Sequence, residues 1–238
     1  MDKVKAVLTG HSRGLGAAIA AELAAQGIST LALSRNKGPA AQGLDQVELD
    51  LSDTAALAAW LAGDRLASFA AGAGTVLLIN NAGMLQPVGP IAAQAPDEVA
   101  RAISLNVAAP LMLAAAVAAL PAAERRVLHV SSGAGRNGYP GWAVYCAGKA
   151  ALDNHARAAA LDVAPGLRIC SLAPGVIDTD MQAQIRASDL ASFPLRERFE
   201  ALKREGQLDS PADCARKLLR FLLSDDFGKQ PVADLRDV

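Results

Sequence analysis

An apolar run from Val4 to Thr9 leads into Thr9-Gly10-His11-Ser12-Arg13-Gly14-Leu15-Gly16, and a helical apolar pattern begins at once over Gly14 to Gln26. A strand that turns through three glycines straight into a helix has few ways to fold. Glycines at 10, 14 and 16 permit a tight turn, a close approach of backbone to a pyrophosphate, and close packing of the helix start on the strand. The helix N-terminus then directs unpaired N–H groups at the anion, with Ser12, Arg13 and Leu15 lining the same turn. No Gly-Lys-Ser/Thr follows, which excludes a Walker A loop. On these residues alone, a purely structural turn stays open.

The rest of the chain repeats the alternation. Strand-like runs lie at Val4 to Thr9, Ile28 to Ser34, Val47 to Asp50, Thr75 to Asn80, Arg126 to Ser131, Leu167 to Ala173 and Val232 to Leu235. Helical patterns fall between them, at Gly14 to Gln26, Asp53 to Ala62 and beyond, Pro96 to Ala119, Trp142 to Val163 and Pro211 to Leu223. Ser210 followed by Pro211 is a cap and a first-turn proline. The expected fold is α/β: one doubly wound Rossmann-type domain over residues 1–238, its seven-stranded, mostly parallel sheet covered by helices on both faces. Residues 178–207 are polar, contain Pro194 and break the rhythm after a strand end. An insertion there covers the carboxyl edge of the sheet, where open α/β folds bind ligands, so it is read as covering substrate.

Composition narrows the partners. The chain is 52% hydrophobic and 20% charged with a net charge of -1, which gives no electrostatic footprint for nucleic acid or an acidic membrane face. The three cysteines lie far apart, with no C-x-x-C pair or nearby histidines, so neither a disulfide frame nor a metal site is expected. The N-terminus shows no signal-peptide pattern, which points to the cytoplasm. Val107 to Leu120 is apolar but broken by Pro110 and short for a bilayer, so it reads as a buried helix.

In dinucleotide folds an acid at the end of the second strand usually holds the adenosine ribose, but here that place reads Ser34-Arg35-Asn36. A guanidinium there suits the 2'-phosphate of NADPH, and Arg13 adds a second positive charge. Solvated surface arginines are the alternative for both. Asp50, with Leu51 beside it, is either an adenine contact or a helix cap acting through Leu51-Ser52-Asp53.

Thr9-Gly10-x-x-x-Gly14-x-Gly16, Asn80-Asn81-Ala82-Gly83, Asn106, Ser132, Tyr145-x-x-x-Lys149 and Pro174-Gly175 occur in order along the whole chain. In that order and spacing they resemble the short-chain dehydrogenase/reductase family. Tyr145 and Lys149, four apart on a helix, share a face. An ammonium beside a phenol stabilises its phenolate, which predicts an acidified Tyr145 as general acid. Ser132 is placed to hydrogen-bond the substrate carbonyl and the developing oxyanion. Asn106 sits four residues before Pro110, whose missing N–H leaves the Asn106 carbonyl without its helical partner. The resemblance implies that this asparagine holds a water connected to Lys149. It also implies that Asn81, Ala82 and Gly83 line the cofactor, and that Pro174, Gly175, Ile177 and Thr179 lie beside the nicotinamide.

Gly141-Trp142-Ala143-Val144-Tyr145-Cys146-Ala147-Gly148-Lys149-Ala150 and Asp178-Thr179-Asp180-Met181-Gln182 look like the sepiapterin reductase branch. Ser131 to Trp142 and Met181 to Arg186 are similar to bacterial benzil reductases. The resemblance implies NADPH-dependent reduction of a ketone or vicinal dicarbonyl, a homodimer or homotetramer, and a pterin-anchoring role for Asp234. Trp142, Met181, Tyr139, Leu85 and Phe193 are expected as an apolar pocket wall, with core packing as the alternative. A non-catalytic NADPH-binding regulator is disfavoured by the complete tyrosine and lysine set, and an NAD-dependent alcohol dehydrogenase by Arg35 and the absence of an acid at Ser34. His11, His129 and His155 are scattered in sequence and read as turn, strand and surface-helix residues.

Overall fold

The structure, a computed structural model, describes residues 3–162, 164–187, 189–190 and 192–238. Seven strands, β1 (Val4–Thr9), β2 (Ser29–Ser34), β3 (Leu44–Glu48), β4 (Thr75–Asn80), β5 (Glu124–Val130), β6 (Leu167–Ala173) and β7 (Val232–Asp234), form one sheet in the order β3-β2-β1-β4-β5-β6-β7. Every pairing is parallel, a stronger result than the mostly parallel sheet expected.

Parallel strands need crossovers, and the helices that make them bury both faces. Ala6 and Leu8 of β1 face α1 (Gly14–Ala25) and α9 (Pro211–Leu223), packing against Ile19, Leu23, Leu218 and Leu222. Val7 faces the other way, into a layer made by α2 (Thr54–Ala62), α3 (Arg65–Ala70), α5 (Ala109–Ala118) and α6 (Ala143–Ala159). Leu77 and Ile79 against Val76 and Leu78 repeat this alternation on β4. Each fully buried leucine contributes about 1.5–3 kcal/mol, so the two layers together fix the register of every central strand.

Strand order reverses at β1 and β4, whose chain connections leave in opposite directions. That switch point opens a crevice at their carboxyl ends. The glycine turn follows β1 and Asn80-Asn81 follows β4, so two sequence motifs 70 residues apart meet there.

Three elements differ from the sequence reading. Strand β3 begins at Leu44, because Gly43 (φ +74°) turns the chain and Leu44 pairs with Thr30; Asp50 therefore lies beyond the strand. Gly63 ends α2 before α3 begins. The 96–119 helix is divided into α4 (Pro96–Ile103), a π turn over Ser104–Ala108, and α5. It remains one continuous helical run, Pro96–Ala118. Among the described residues it alone is long and apolar enough to cross a bilayer, and its α5 half packs on the sheet through Leu113 and Val117. Val163, where the sequence pattern ends α6, lies outside the described residues.

The segment after β6 leaves the sheet at a narrow neck. Ile177 bridges Asp209, and the Asp178 N–H donates to the Asp209 carbonyl (3.0 Å). Between these points stand α7 (Asp180–Ala187) and α8 (Arg196–Arg204). Lys203 and Arg186 both pair with Asp178 and tie these helices back to the neck.

Candidate active site

The glycine turn is shaped for backbone approach. A Cβ on Gly16 would stand 1.9 Å from the Gly10 carbonyl oxygen and 2.6 Å from Asn81 Nδ2. Gly10, at φ +72°, would meet the Ala82 Cα at 2.9 Å. Asn81 holds the turn from the β4 side, its Nδ2 donating to the carbonyls of Thr9 (3.0 Å) and Gly10 (3.1 Å). Thr9 Oγ1 accepts the N–H groups of Asn81 and Ala82, both at 3.0 Å. Arg13 is the N-cap of α1, and its side chain makes no cap bond to the first N–H groups of the helix. A cradle of backbone with uncapped helix N–H groups fits a pyrophosphate.

The adenosine end is framed by the ends of β2 and β3. Ser34 Oγ donates to the Asn36 carbonyl (2.5 Å), and Arg35 stands exposed just past β2. Asp50 Oδ1 accepts from Ser52 N–H (2.9 Å) and Oγ (2.7 Å). Burial raises the Asp50 carboxyl, but the Ser52 bonds and the Arg35 and Arg101 charges outweigh it and hold the group below the usual range. The cap belongs to Asp53, which accepts from Ala56 N–H (2.9 Å), so the cap alternative for Asp50 is corrected. Leu51 is buried under the edge of the crevice. Arg13 reaches Asp180 at 3.7 Å, an exposed ion pair of small energy that joins the glycine turn to α7.

Helix α6 supplies the chemistry. Tyr145 and Lys149 are both buried on its inner face, and Lys149 Nζ lies 5.5 Å from the Tyr145 ring centre. Lys149 donates to the Val130 carbonyl (2.7 Å) at the end of β5. Burial lowers its ammonium to about 8, against the Asp153 charge, which raises it. Burial pushes the Tyr145 hydroxyl up to about 12, while a hydrogen bond with Ser132 draws it down. The ammonium expected to acidify this phenol sits over its ring, and the contact that lowers the hydroxyl is the hydrogen bond with Ser132.

Asn106 enters from the π turn, where the Ala109 N–H reaches back to the Ser104 carbonyl and Pro110 lacks an N–H to restore the α pattern. Its side chain clamps Met84, Oδ1 accepting the N–H (2.9 Å) and Nδ2 donating to the carbonyl (2.8 Å). Gly83 lies between this amide and the lysine: a Cβ there would be 3.3 Å from Asn106 Oδ1 and 3.8 Å from Lys149 Nζ. The structure thus brings Asn106, Gly83 and Lys149 together. Pro174 and Gly175 follow β6, and Thr179 returns over the glycine turn, its Cγ2 3.5 Å from where a Gly14 Cβ would stand.

The residues read as a pocket wall, with core packing as the alternative, form a third apolar cluster in which Leu85, Trp142 and Phe193 are buried. Tyr139, Leu85, Trp142, Met181 and Phe193 pack with Tyr145 itself. Trp142 stacks on Phe193 (ring centres 4.5 Å, 5°) and meets Tyr145 edge-on (5.6 Å). Phe199 of α8 closes the same cluster, so the 178–207 excursion covers the tyrosine. Asp234 is different. Both its oxygens are bonded by Arg236 (2.8 and 2.7 Å) and Arg136 stands 3.8 Å away, so a substrate anchored there competes with two arginines.

Sequence reasoning missed two polar clusters behind the site. Asp153, one turn after Lys149, accepts from Ser131 Oγ and Ser171 Oγ, both at 2.7 Å, and from Arg136 Nε at 3.3 Å. His129 and His155, dismissed as scattered, are joined at 3.1 Å, and Asn80 Nδ2 bonds both His129 Nδ1 and the Pro110 carbonyl, each at 3.1 Å. Only the i,i+4 spacing of Lys149 and Asp153 offered a signal for the first. Nothing local in sequence links residues 80, 129 and 155.

A glycine cradle at a switch point, with a buried tyrosine, lysine, serine and asparagine converging beside it, defines a dinucleotide-dependent oxidoreductase. The short chain dehydrogenase family model matches residues 4–190, and the chain belongs to that family, whose members bind a nicotinamide cofactor, NAD or NADP. It is 35% identical over 230 residues to the benzil reductase ((S)-benzoin forming) of Bacillus subtilis (strain 168), covering 91% of this chain and 92% of the relative. It is also 35% identical over 252 residues to the sepiapterin reductase of Meriones unguiculatus, covering 97% and 95%. A solved short-chain dehydrogenase/reductase from Burkholderia vietnamiensis is 51% identical, with a TM-score of 0.71 over 100% of this chain and 99% of that one.

Proposed function

We propose that the chain is an NADPH-dependent carbonyl reductase acting on a ketone or one member of a vicinal dicarbonyl, a benzil-like diketone or a pterin side chain. The observation that carries this reading is the buried Tyr145 hydroxyl, hydrogen-bonded to Ser132 with Lys149 over its ring beside the glycine cradle. The relatives named for benzil and sepiapterin reduction support the substrate class. Bound on the glycine cradle, the nicotinamide cofactor supplies the hydride.

Ser132 and Tyr145 then serve the substrate oxygen. As the carbonyl becomes an alkoxide, the two hydroxyls stabilise the growing negative charge, and Tyr145 transfers its proton to it. An alkoxide is a stronger base than even a buried phenolate, so the transfer runs downhill in the reductive direction. Lys149 keeps a positive charge over the ring, and the aromatic cluster of Trp142, Phe193 and Phe199 excludes water from the reacting oxygen. Assaying NADPH consumption against aryl diketones, pterins and simple ketones tests the substrate class; a protein that turns over none of them refutes the reading.

NADPH is preferred over NADH because Arg35 offers a charge where an acid would otherwise hold the ribose. A charge-assisted bond to phosphate contributes about 1.5–3 kcal/mol, so Arg35→Asp is expected to lower the NADPH/NADH ratio of kcat/KM by roughly ten- to a hundredfold. An unchanged ratio would defeat the cofactor assignment and leave the carbonyl chemistry standing.

A further inference from the structure

Behind Tyr145 and Lys149 lies a buried carboxylate that no part of the reaction above requires. Asp153 is 1% exposed, and burying a carboxylate is costly unless it is fully paired. Here its partners come from four directions. Ser131 donates from the end of β5, directly before Ser132; Ser171 donates from β6; Arg136 donates from the turn that follows Ser132; and Lys149 precedes it by one turn of α6. That turn lies flat on the helix: a Cβ on Gly135 would be 3.0 Å from Asp153 Oδ2 and 3.0 Å from the Lys149 carbonyl. Arg136 extends the network outward, donating to the Ala233 carbonyl (2.7 Å) and approaching Asp234.

We propose that Asp153 is a positioning residue of this active site: by accepting Ser131, Ser171 and Arg136 together it fixes the Ser132 turn against α6 and sets a negative charge one turn from Lys149. The proposal rests on the carbonyl-reductase reading, in which Lys149 must stay charged and Ser132 must face Tyr145. The charged and titratable neighbours of the lysine are few. Tyr145 and Asp153 share its helix, His129 faces it from β5, Cys170 adjoins Asp153 from β6, and Arg136 with Asp234 and Arg236 completes the row toward β7. Among the described residues, Asp153 is the anion whose charge acts directly to raise the lysine.

The sign follows. Reduction needs the ammonium, so kcat/KM for benzil with NADPH should fall as pH rises through about 8 in the unaltered enzyme. Asp153→Asn keeps the shape and removes the charge, so the limb should move down by about one pH unit or more, a loss of about fivefold or more at pH 8 that largely recovers at pH 6. Arg136→Gln leaves the Asp153 charge unshared and should move the limb upward, which keeps the test alive if Asp153→Asn fails to fold. Ser171→Ala removes one donor but no charge and should leave the limb in place. A pH-independent loss in Asp153→Asn, immobile limbs in both charge variants, or an unaltered enzyme flat through pH 9 would overturn the proposal. Tyr145→Phe separates the two readings: if it is inactive while these limbs stay fixed, only the role of Asp153 fails; if it is fully active, the carbonyl reading itself fails.

Discussion

Tyr145→Phe is expected to cost roughly 10²- to 10⁴-fold in kcat for carbonyl reduction, the range for removing a positioned general acid, or about 3–5 kcal/mol of barrier. The substitution is clean because the ring, not the hydroxyl, does the packing. The ring meets Trp142 edge-on and lies under Lys149 Nζ, contacts that phenylalanine retains, while the hydroxyl is bonded to Ser132. Thermal stability and NADPH affinity should therefore change little while turnover collapses. Single-turnover reduction of a diketone, read at the nicotinamide absorbance with cofactor binding measured separately, distinguishes loss of the proton from loss of binding. A variant that binds NADPH normally and reduces at an undiminished rate would show that the proton comes from elsewhere.

Most of the fold and the centre of the site could be read from sequence because both are written in local patterns. The strand, glycine turn and helix at residues 4–25 are contiguous, and Tyr145 and Lys149 share a helix face by spacing alone. Pro110 foretold an irregular helix at Asn106, and the π turn is the form that irregularity takes. What could not be read is the consequence of burial. A lysine four residues from a tyrosine suggests an acidified phenol, yet burial pushes the Tyr145 hydroxyl up, and the opposing contact comes from Ser132, which lies outside the helix. Asp234 likewise reads as a substrate anchor, whereas β7 delivers it between Arg236 and Arg136. The Asp153 cluster draws on β5, β6, the Ser132 turn and α6, so its partners become neighbours only once the sheet order is set.

The histidine pair illustrates the same point and carries the largest expected effect on stability. Pro110 offers only a carbonyl and must receive a proton from Asn80 Nδ2, so the same amide also donates to His129 Nδ1. That leaves His129 Nε2 as the protonated nitrogen, donating to His155 Nδ1. Neither shared nitrogen can take a further proton without opposing two donors. Burial, with the charges of His155 and Lys149, lowers His129 from 6.5 to about 3. Since the folded value lies below the unfolded one, the unfolded chain gains the proton first as pH falls. Stability contributed by neutral His129 is thus intact above about pH 6.5 and lost progressively down to about 3, at a slope near 1.4 kcal/mol per pH unit. Between pH 7 and pH 5 the loss should be about 2 kcal/mol, and about 5 kcal/mol over the full window. Few carboxylates titrate between pH 5 and 6.5, so urea unfolding in that interval isolates the histidines. His129→Asn, which can still accept from Asn80, should flatten the slope there by about one proton; a slope unchanged by the substitution would mean that folded His129 protonates as readily as the unfolded residue, and that the Asn80–His129–His155 chain opens without cost.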